Sequence, residues 1–213
     1  MKITSFGKTE KGEDHLENED AVLIDDKLRL YAVADGVSLP YGGKEAAERA
    51  IKHLKSCFKG DIKKAIENVN KKICEDKTKN PEIGHTTLTT GFIKEKNIEI
   101  GHVGDSYAFI VKKNKIKEIT TPDGVRGTGI LTQAVGQLNI NIHCYDEPLK
   151  KGDYIILSTD GVTDVLKNKE ILDVIKKYKK PKDIANSLIK ETKKKQKFYK
   201  DDLSVIVIFV KDL

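Results

Sequence analysis

Carboxylates stand at the edges of apolar runs at four separated points in the chain. They are Glu19-Asp20 ahead of AVLI, Asp35-Gly36 after LRLYAVA, Asp160-Gly161 after DYIILST, and Asp201-Asp202 ahead of LSVIVIFV. A carboxylate beside a buried strand is costly unless a positive charge or hydrogen bonds compensate it. Any one of the four could be a strand-ending turn or a helix cap. Together they suggest a fold that gathers acids around a cation. Oxygen donors without paired His or Cys suit a hard ion such as Mg2+ or Mn2+ rather than Zn2+. Two such ions about 3.5–4 Å apart can share one water, lower its pKa and clamp a phosphoryl group for in-line attack. That chemistry needs no nucleophilic side chain, and no Ser/His/Asp or Cys/His set is evident.

Such acids need a frame. Residues 2–6, 20–25 and 28–34 read as strands, with a turn at Asp25-Asp26-Lys27. After Gly42-Gly43 the apolar period becomes helical: Ala46, Ala47, Ala50, Ile51, Leu54 and Phe58 share one stripe. Ile62, Ala65, Ile66, Val69 and Ile73 form a second helix, and the short break predicts an antiparallel pair. Segments 86–94, 97–103, 107–112 and 115–120 read as a meander of adjacent antiparallel strands, and 121–130 as a loop. Strands at 142–145 and 153–158, helices at 168–178 and 182–196, and a strand at 203–210 follow. This order predicts an α+β fold of four layers. Two antiparallel sheets pack face to face, each covered by an antiparallel helix pair. One domain is expected over 1–213.

Composition narrows the function. Apolar residues are 38% and charged residues 34%, with both signs interspersed, as in an ordered globular protein. The net charge is +6, but only Arg29, Arg49 and Arg126 are arginine, which argues against a phosphate-reading nucleic-acid surface. The Lys-rich segment 176–200 carries eleven lysines around an apolar helical stripe and reads as a solvated face. Cys57, Cys74 and Cys144 have no metal-ligand spacing and are expected to be buried reduced thiols. No run approaches the ~20 apolar residues of a membrane span, and MKITSFGKTEKGED lacks a signal-peptide core. A cytoplasmic monomer without membrane or nucleic-acid partners is expected.

The series NEDAV, AVADG with GGKEAAERA, GHTTLTTGFI, GHVGDSYAFIV, LTQAVG, YIILSTDGVTDVL and DDLSVIVIFV resembles, in order from about residue 7 to 210, the PP2C-type (PPM) metal-dependent serine/threonine phosphatases. The resemblance implies the same α–β–β–α sandwich and an enzyme hydrolysing phosphoserine and phosphothreonine proteins with two Mn2+ or Mg2+ ions and sometimes a third. It implies Asp35 as the carboxylate bridging both ions, with Gly36 offering its carbonyl. Asp160 and Asp201 resemble ligands of the second ion. Glu19 resembles a ligand acting through water, with Asp20 as a supporting acid, and Asp105 the acid of a third site.

The chain departs from the family at several positions. His15 stands where an arginine usually holds the substrate phosphate; a histidine can contact phosphate or supply a proton but has no bidentate fork. Arg126 could supply the missing guanidinium. Val37 replaces a histidine common after the Asp-Gly of eukaryotic members, and His85 and His102 read as hydrogen-bonded strand residues. SLPY lengthens the loop before Gly42, so Ser38 and Tyr41 become candidate substrate contacts. Tyr107 stands where an arginine usually follows VGDS. Asp202 replaces the usual asparagine and adds a negative charge. Only TTPDGVRGTGI remains of the flap beside the active site, which predicts a site with little substrate discrimination. The competing expectation is a silent PP2C-like module that binds phosphoproteins without hydrolysing them.

Overall fold

The computed structural model describes the chain except for residues 1, 38–40, 126–129, 199 and 213. Ser38 and Arg126 therefore lie outside the described residues. The first half runs β1 (Lys2–Glu10), β2 (Ala21–Asp25), β3 (Leu30–Ala34), β4 (Gly36–Val37), α1 (Gly43–Cys57), α2 (Ile62–Lys79), β5 (His85–Thr86), β6 (Leu88–Lys94) and β7 (Asn97–Val103). It continues with β8 (Tyr107–Lys112), β9 (Lys115–Glu118), β10 (Gly124–Val125), β11 (Ile130–Leu131), β12 (His143–Pro148) and β13 (Tyr154–Ser158). The chain closes with α3 (Asp160–Thr163), α4 (Asn168–Lys177), α5 (Pro181–Lys195) and β14 (Leu203–Asp212).

Two five-stranded antiparallel sheets form the centre. One is ordered β1-β14-β13-β8-β9, the other β12-β7-β6-β3-β2. Tyr31, Val33, Ile98, Ile100, Ile110, Ile155 and Ile206 are among the side chains buried between them. The outer face of the second sheet packs Ala32, Leu88 and Val103 against Ala47, Ala50, Leu54, Ile66 and Val69 of α1 and α2. The first sheet buries Phe109, Ile156 and Val207 under Ile171, Ile184, Leu188 and Ile189 of α4 and α5. Strands such as β3 are therefore covered on both faces and read as continuous apolar runs rather than alternating ones. Each fully buried Leu or Ile contributes about 1.5–3 kcal/mol against exposure. The four-layer α+β sandwich agrees with the sequence reading.

Three local expectations change. The meander is split: β6 and β7 pair in one sheet, while β8 and β9 pair in the other. The turn at Gly104-Asp105-Ser106 thus crosses between sheets instead of continuing one. Periodicity along a strand does not say which sheet accepts it, so the crossing was not visible in sequence. Within 121–130, Gly124-Val125 pairs with Ile130-Leu131 as a short hairpin. The cysteines are free, as expected, but Cys57 and Cys74 are half-buried and Cys144 is exposed on the edge strand β12.

Candidate active site

Antiparallel pairing brings the acidic motifs to one end of the sandwich. The N-terminal end of β14 lies beside the C-terminal end of β13, with Val205 opposite Ser158, and the start of β8 lies on the other side of β13, with Tyr107 opposite Ser158. In the other sheet, Ala21 at the start of β2 faces Ala34 at the end of β3. Glu19-Asp20, Asp35, Asp105, Asp160 and Asp201-Asp202 all leave strands at this end, although up to 183 positions separate hydrogen-bonded members.

Hydrogen bonds link the two sheets there. Thr159 Oγ1 donates to Asp20 Oδ2 at 2.9 Å and accepts from the Ser204 N–H at 3.1 Å. The Gly36 N–H donates to the Glu19 carbonyl at 3.2 Å. Asp35 is held by its backbone: its N–H donates to Thr87 Oγ1 at 3.0 Å, and its carbonyl accepts from Thr86 Oγ1 and Thr87 N–H, both at 2.8 Å. Thr87 Oγ1 also lies 2.9 Å from Ser106 Oγ. Gly36 admits no side chain, because a Cβ would come within 2.3 Å of the Gly43 backbone where α1 begins. Its smallness lets α1 pack directly under the site.

The electrostatics are those of crowded acids. Burial, then Asp20, Asp160, Asp201 and Asp105 in turn, raise the Asp35 carboxyl well above the ordinary range. Asp160 is pushed up to about 7 by burial and by Asp105 and Asp164, against a hydrogen bond with Asp35 that lowers it. Asp201 and Asp105 are each raised to about 6, burial being the largest cause in both. Asp20 is also raised, by burial above all, with the nearby Ser204 hydroxyl and the Thr159 hydrogen bond opposing. Like charges in a low-dielectric setting disfavour one another's ionisation.

Asp202 organises the rim. Its Oδ1 accepts the Gly12 N–H at 2.7 Å, and its Oδ2 accepts the Glu19 N–H at 2.7 Å. His15 Nδ1 stands 2.8 Å from Asp202 Oδ2, and Nε2 stands 3.3 Å from Asp201 Oδ1. The extra negative charge read from the sequence is thus a hub for three partners. Tyr41 is exposed and lines, with Glu19, Lys44 and Glu48, a groove of about 760 Å³. Sequence reading missed Asp164, whose charge raises both Asp105 and Asp160. The spacing of Asp160 and Asp164, one helical turn apart, was its signal. Thr87 was also missed; it lay unremarked inside GHTTLTTGFI.

Among the described residues, no three His, Cys, Asp or Glu side chains form a ready-made coordination cluster. The donor set nevertheless fits hard divalent cations: every candidate is an oxygen, the acids raise one another, and Asp20 Oδ1 is buried without a hydrogen-bond partner.

Two antiparallel sheets between helix pairs, with acids gathered at one end, define the class of PPM-type phosphatase folds. A family model described as "Protein phosphatase 2C" matches residues 9–196. "Probable protein phosphatase 2C 17" of Arabidopsis thaliana is 30% identical over 226 residues, covering 85% of this chain and 78% of that protein. The chain belongs to the protein phosphatase 2C family. Solved structures agree in fold. The serine/threonine phosphatase of S. agalactiae has a TM-score of 0.86 at 24% identity, over 98% of this chain and 100% of that one. The catalytic domain of the serine threonine protein phosphatase PstP, solved in complex with 2 manganese ions, also has a TM-score of 0.86, at 21% identity over 99% of each chain. No helix among the described residues is long and apolar enough to cross a membrane.

Proposed function

We propose that this chain is an active metal-dependent protein serine/threonine phosphatase acting on phosphoserine and phosphothreonine proteins. The carrying observation is the gathering of Asp35, Asp160, Asp201 and Asp105 at one end of the sandwich, where the other three each push the buried Asp35 carboxyl up. In this reading Asp35, Asp160 and Asp201, with the Gly36 carbonyl and Glu19, hold two Mn2+ or Mg2+ ions, and Asp105 holds a third. When bound, such ions polarise the phosphoryl oxygens and make water a nucleophile near neutral pH.

The chain's own residues do the rest. Thr86 and Thr87 fix the Asp35 backbone, so its carboxylate is aimed before substrate arrives. Thr159 and Asp20 tie the two sheets together beneath the acids. Asp202 holds the Gly12 and Glu19 backbone, and thereby the loop that carries His15. His15 takes the phosphate contact or delivers the proton that a serine or threonine alkoxide needs on leaving. Tyr41, in the groove beside Glu19, is placed to touch the substrate polypeptide.

The competing reading, a silent module that binds phosphoproteins, draws support from His15, whose two ring nitrogens face carboxylates. Hydrolysis of p-nitrophenyl phosphate with Mn2+, against EDTA and an Asp160→Asn variant, separates the two. Metal-dependent turnover lost in the variant supports the enzyme. No metal-dependent turnover, or full activity in the variant, overturns it.

A further inference from the structure

A polar row crosses the second sheet and ends at the turn that carries Asp105. Thr89 on β6, His102 on β7 and His143 on β12 are register partners on neighbouring strands. His102 is fully buried, and its Nδ1 lies 2.8 Å from Thr89 Oγ1. The backbone of Thr121 and Gly104 lies beside the same ring. His143 continues the row outward: its Nε2 stands 2.9 Å from Asp123 Oδ1. Asp123 Oδ2 in turn accepts the Gly104 N–H at 2.9 Å, and the Asp123 N–H donates to the Gly104 carbonyl at 2.7 Å.

Gly104 is therefore bonded to Asp123 through both of its backbone polar groups. Its φ of +106° belongs to glycine, and a Cβ would come within 2.6 Å of Thr87, the residue that holds the Asp35 backbone. The turn has Asp35's support on one side and the Asp123–His143 pair on the other. Asp105 follows directly. Such outer partners fix a ligand-bearing loop without touching the ion.

We infer that Asp123 and His143 are positioning residues, a clamp on the Gly104 turn that sets the metal affinity of Asp105. The inference rests on reading Asp105 as a metal-holding acid. His143 orients the Asp123 carboxylate, Asp123 locks Gly104, and the Asp105 side chain starts from a fixed backbone. Nothing in the sequence pairs position 143 with 123, because His143 lies on an edge strand that reaches Asp123 only after the sheet forms.

The test is Mn2+ binding by titration calorimetry, beside the Mn2+ concentration that half-activates p-nitrophenyl phosphate hydrolysis. His143→Phe should weaken the weakest Mn2+ site by about tenfold or more and raise the half-activating concentration in step. His143→Gln keeps a nitrogen donor toward Asp123 and should restore binding to within about twofold. Adding His143→Phe to Asp105→Asn should change Mn2+ binding no further, because both act through one site. An unchanged isotherm in His143→Phe, a His143→Gln variant as weak as His143→Phe, or additive losses in the double variant would overturn the clamp while leaving Asp105's role standing. Wild-type Mn2+ binding in Asp105→Asn alone would overturn both.

Discussion

His15 lies between two consecutive acids, with Nδ1 2.8 Å from Asp202 Oδ2 and Nε2 3.3 Å from Asp201 Oδ1. Where its relatives commonly have an arginine and an asparagine, this chain has a histidine and an aspartate, and the two departures touch. Asp202 and Asp201 both engage the imidazole proposed to contact the substrate phosphate.

Restoring the arginine should strengthen substrate binding. His15→Arg is expected to lower KM for p-nitrophenyl phosphate, and His15→Arg with Asp202→Asn to lower it further. The combined effect should be roughly tenfold, the worth of one charge-assisted hydrogen bond. Steady-state kinetics at saturating Mn2+ reads this directly. KM values that do not move in either variant would remove His15 from the phosphate subsite.

Thr87 should act through Asp35. Thr87→Val keeps the shape but leaves the Asp35 N–H and Ser106 Oγ without their partner. Stranding such groups costs about 1–3 kcal/mol, or a fall of roughly 2–10 °C in Tm for a chain of this size. Because Thr87 fixes the backbone of Asp35, the proposed metal holder, rather than substrate, kcat should fall while KM stays. A Tm loss with wild-type kcat would make Thr87 a stability residue only.

The crowded acids set the pH dependence of the metal-free fold. Asp160 titrates at about 7 and Asp201 and Asp105 at about 6, against about 3.9 in the unfolded chain. Between those values the folded state binds more protons, so these groups stabilise fully below about pH 4 and the contribution is lost as pH rises to about 7. His102 opposes them: burial lowers it to about 4, so its contribution is lost as pH falls below about 6.5. His85 is lowered in the same sense. Six raised acids outweigh two lowered histidines, since Asp20, Asp35 and Asp153 are raised as well. In EDTA, Tm should fall between pH 5 and 7.5, and added Mn2+ should raise it most at the upper end. A flat or rising EDTA profile would mean the acids do not repel one another as described.

Much of this was legible in the residues. The helices α1, α2, α4 and α5 announced themselves by apolar stripes, and β7 and β8 by apolar runs between turns. The acids at strand mouths were visible because a carboxylate beside LYAVA or YIILS contradicts burial unless something compensates it. What stayed hidden is what only pairing creates. The crossing between sheets at Gly104 depends on which edge accepts β8. The His15–Asp202 contact joins positions 187 apart. Thr87 looked like one threonine among several until Asp35 was placed beside it. The four-residue helix α3 is too short for periodicity to detect.

The acids at the sandwich end are proposed to hold the metal that drives phosphate release. The direct measurement is phosphate released from a phosphothreonine peptide as Mn2+ is titrated into EDTA-stripped protein, wild type beside Asp35→Asn. Stripped wild type should be inactive and recover with Mn2+. Asp35→Asn should stay at least on the order of a hundredfold lower at every Mn2+ concentration, since metal assistance contributes several kcal/mol to the barrier. Release that is indifferent to EDTA, or an Asp35→Asn variant as fast as wild type, would contradict that role.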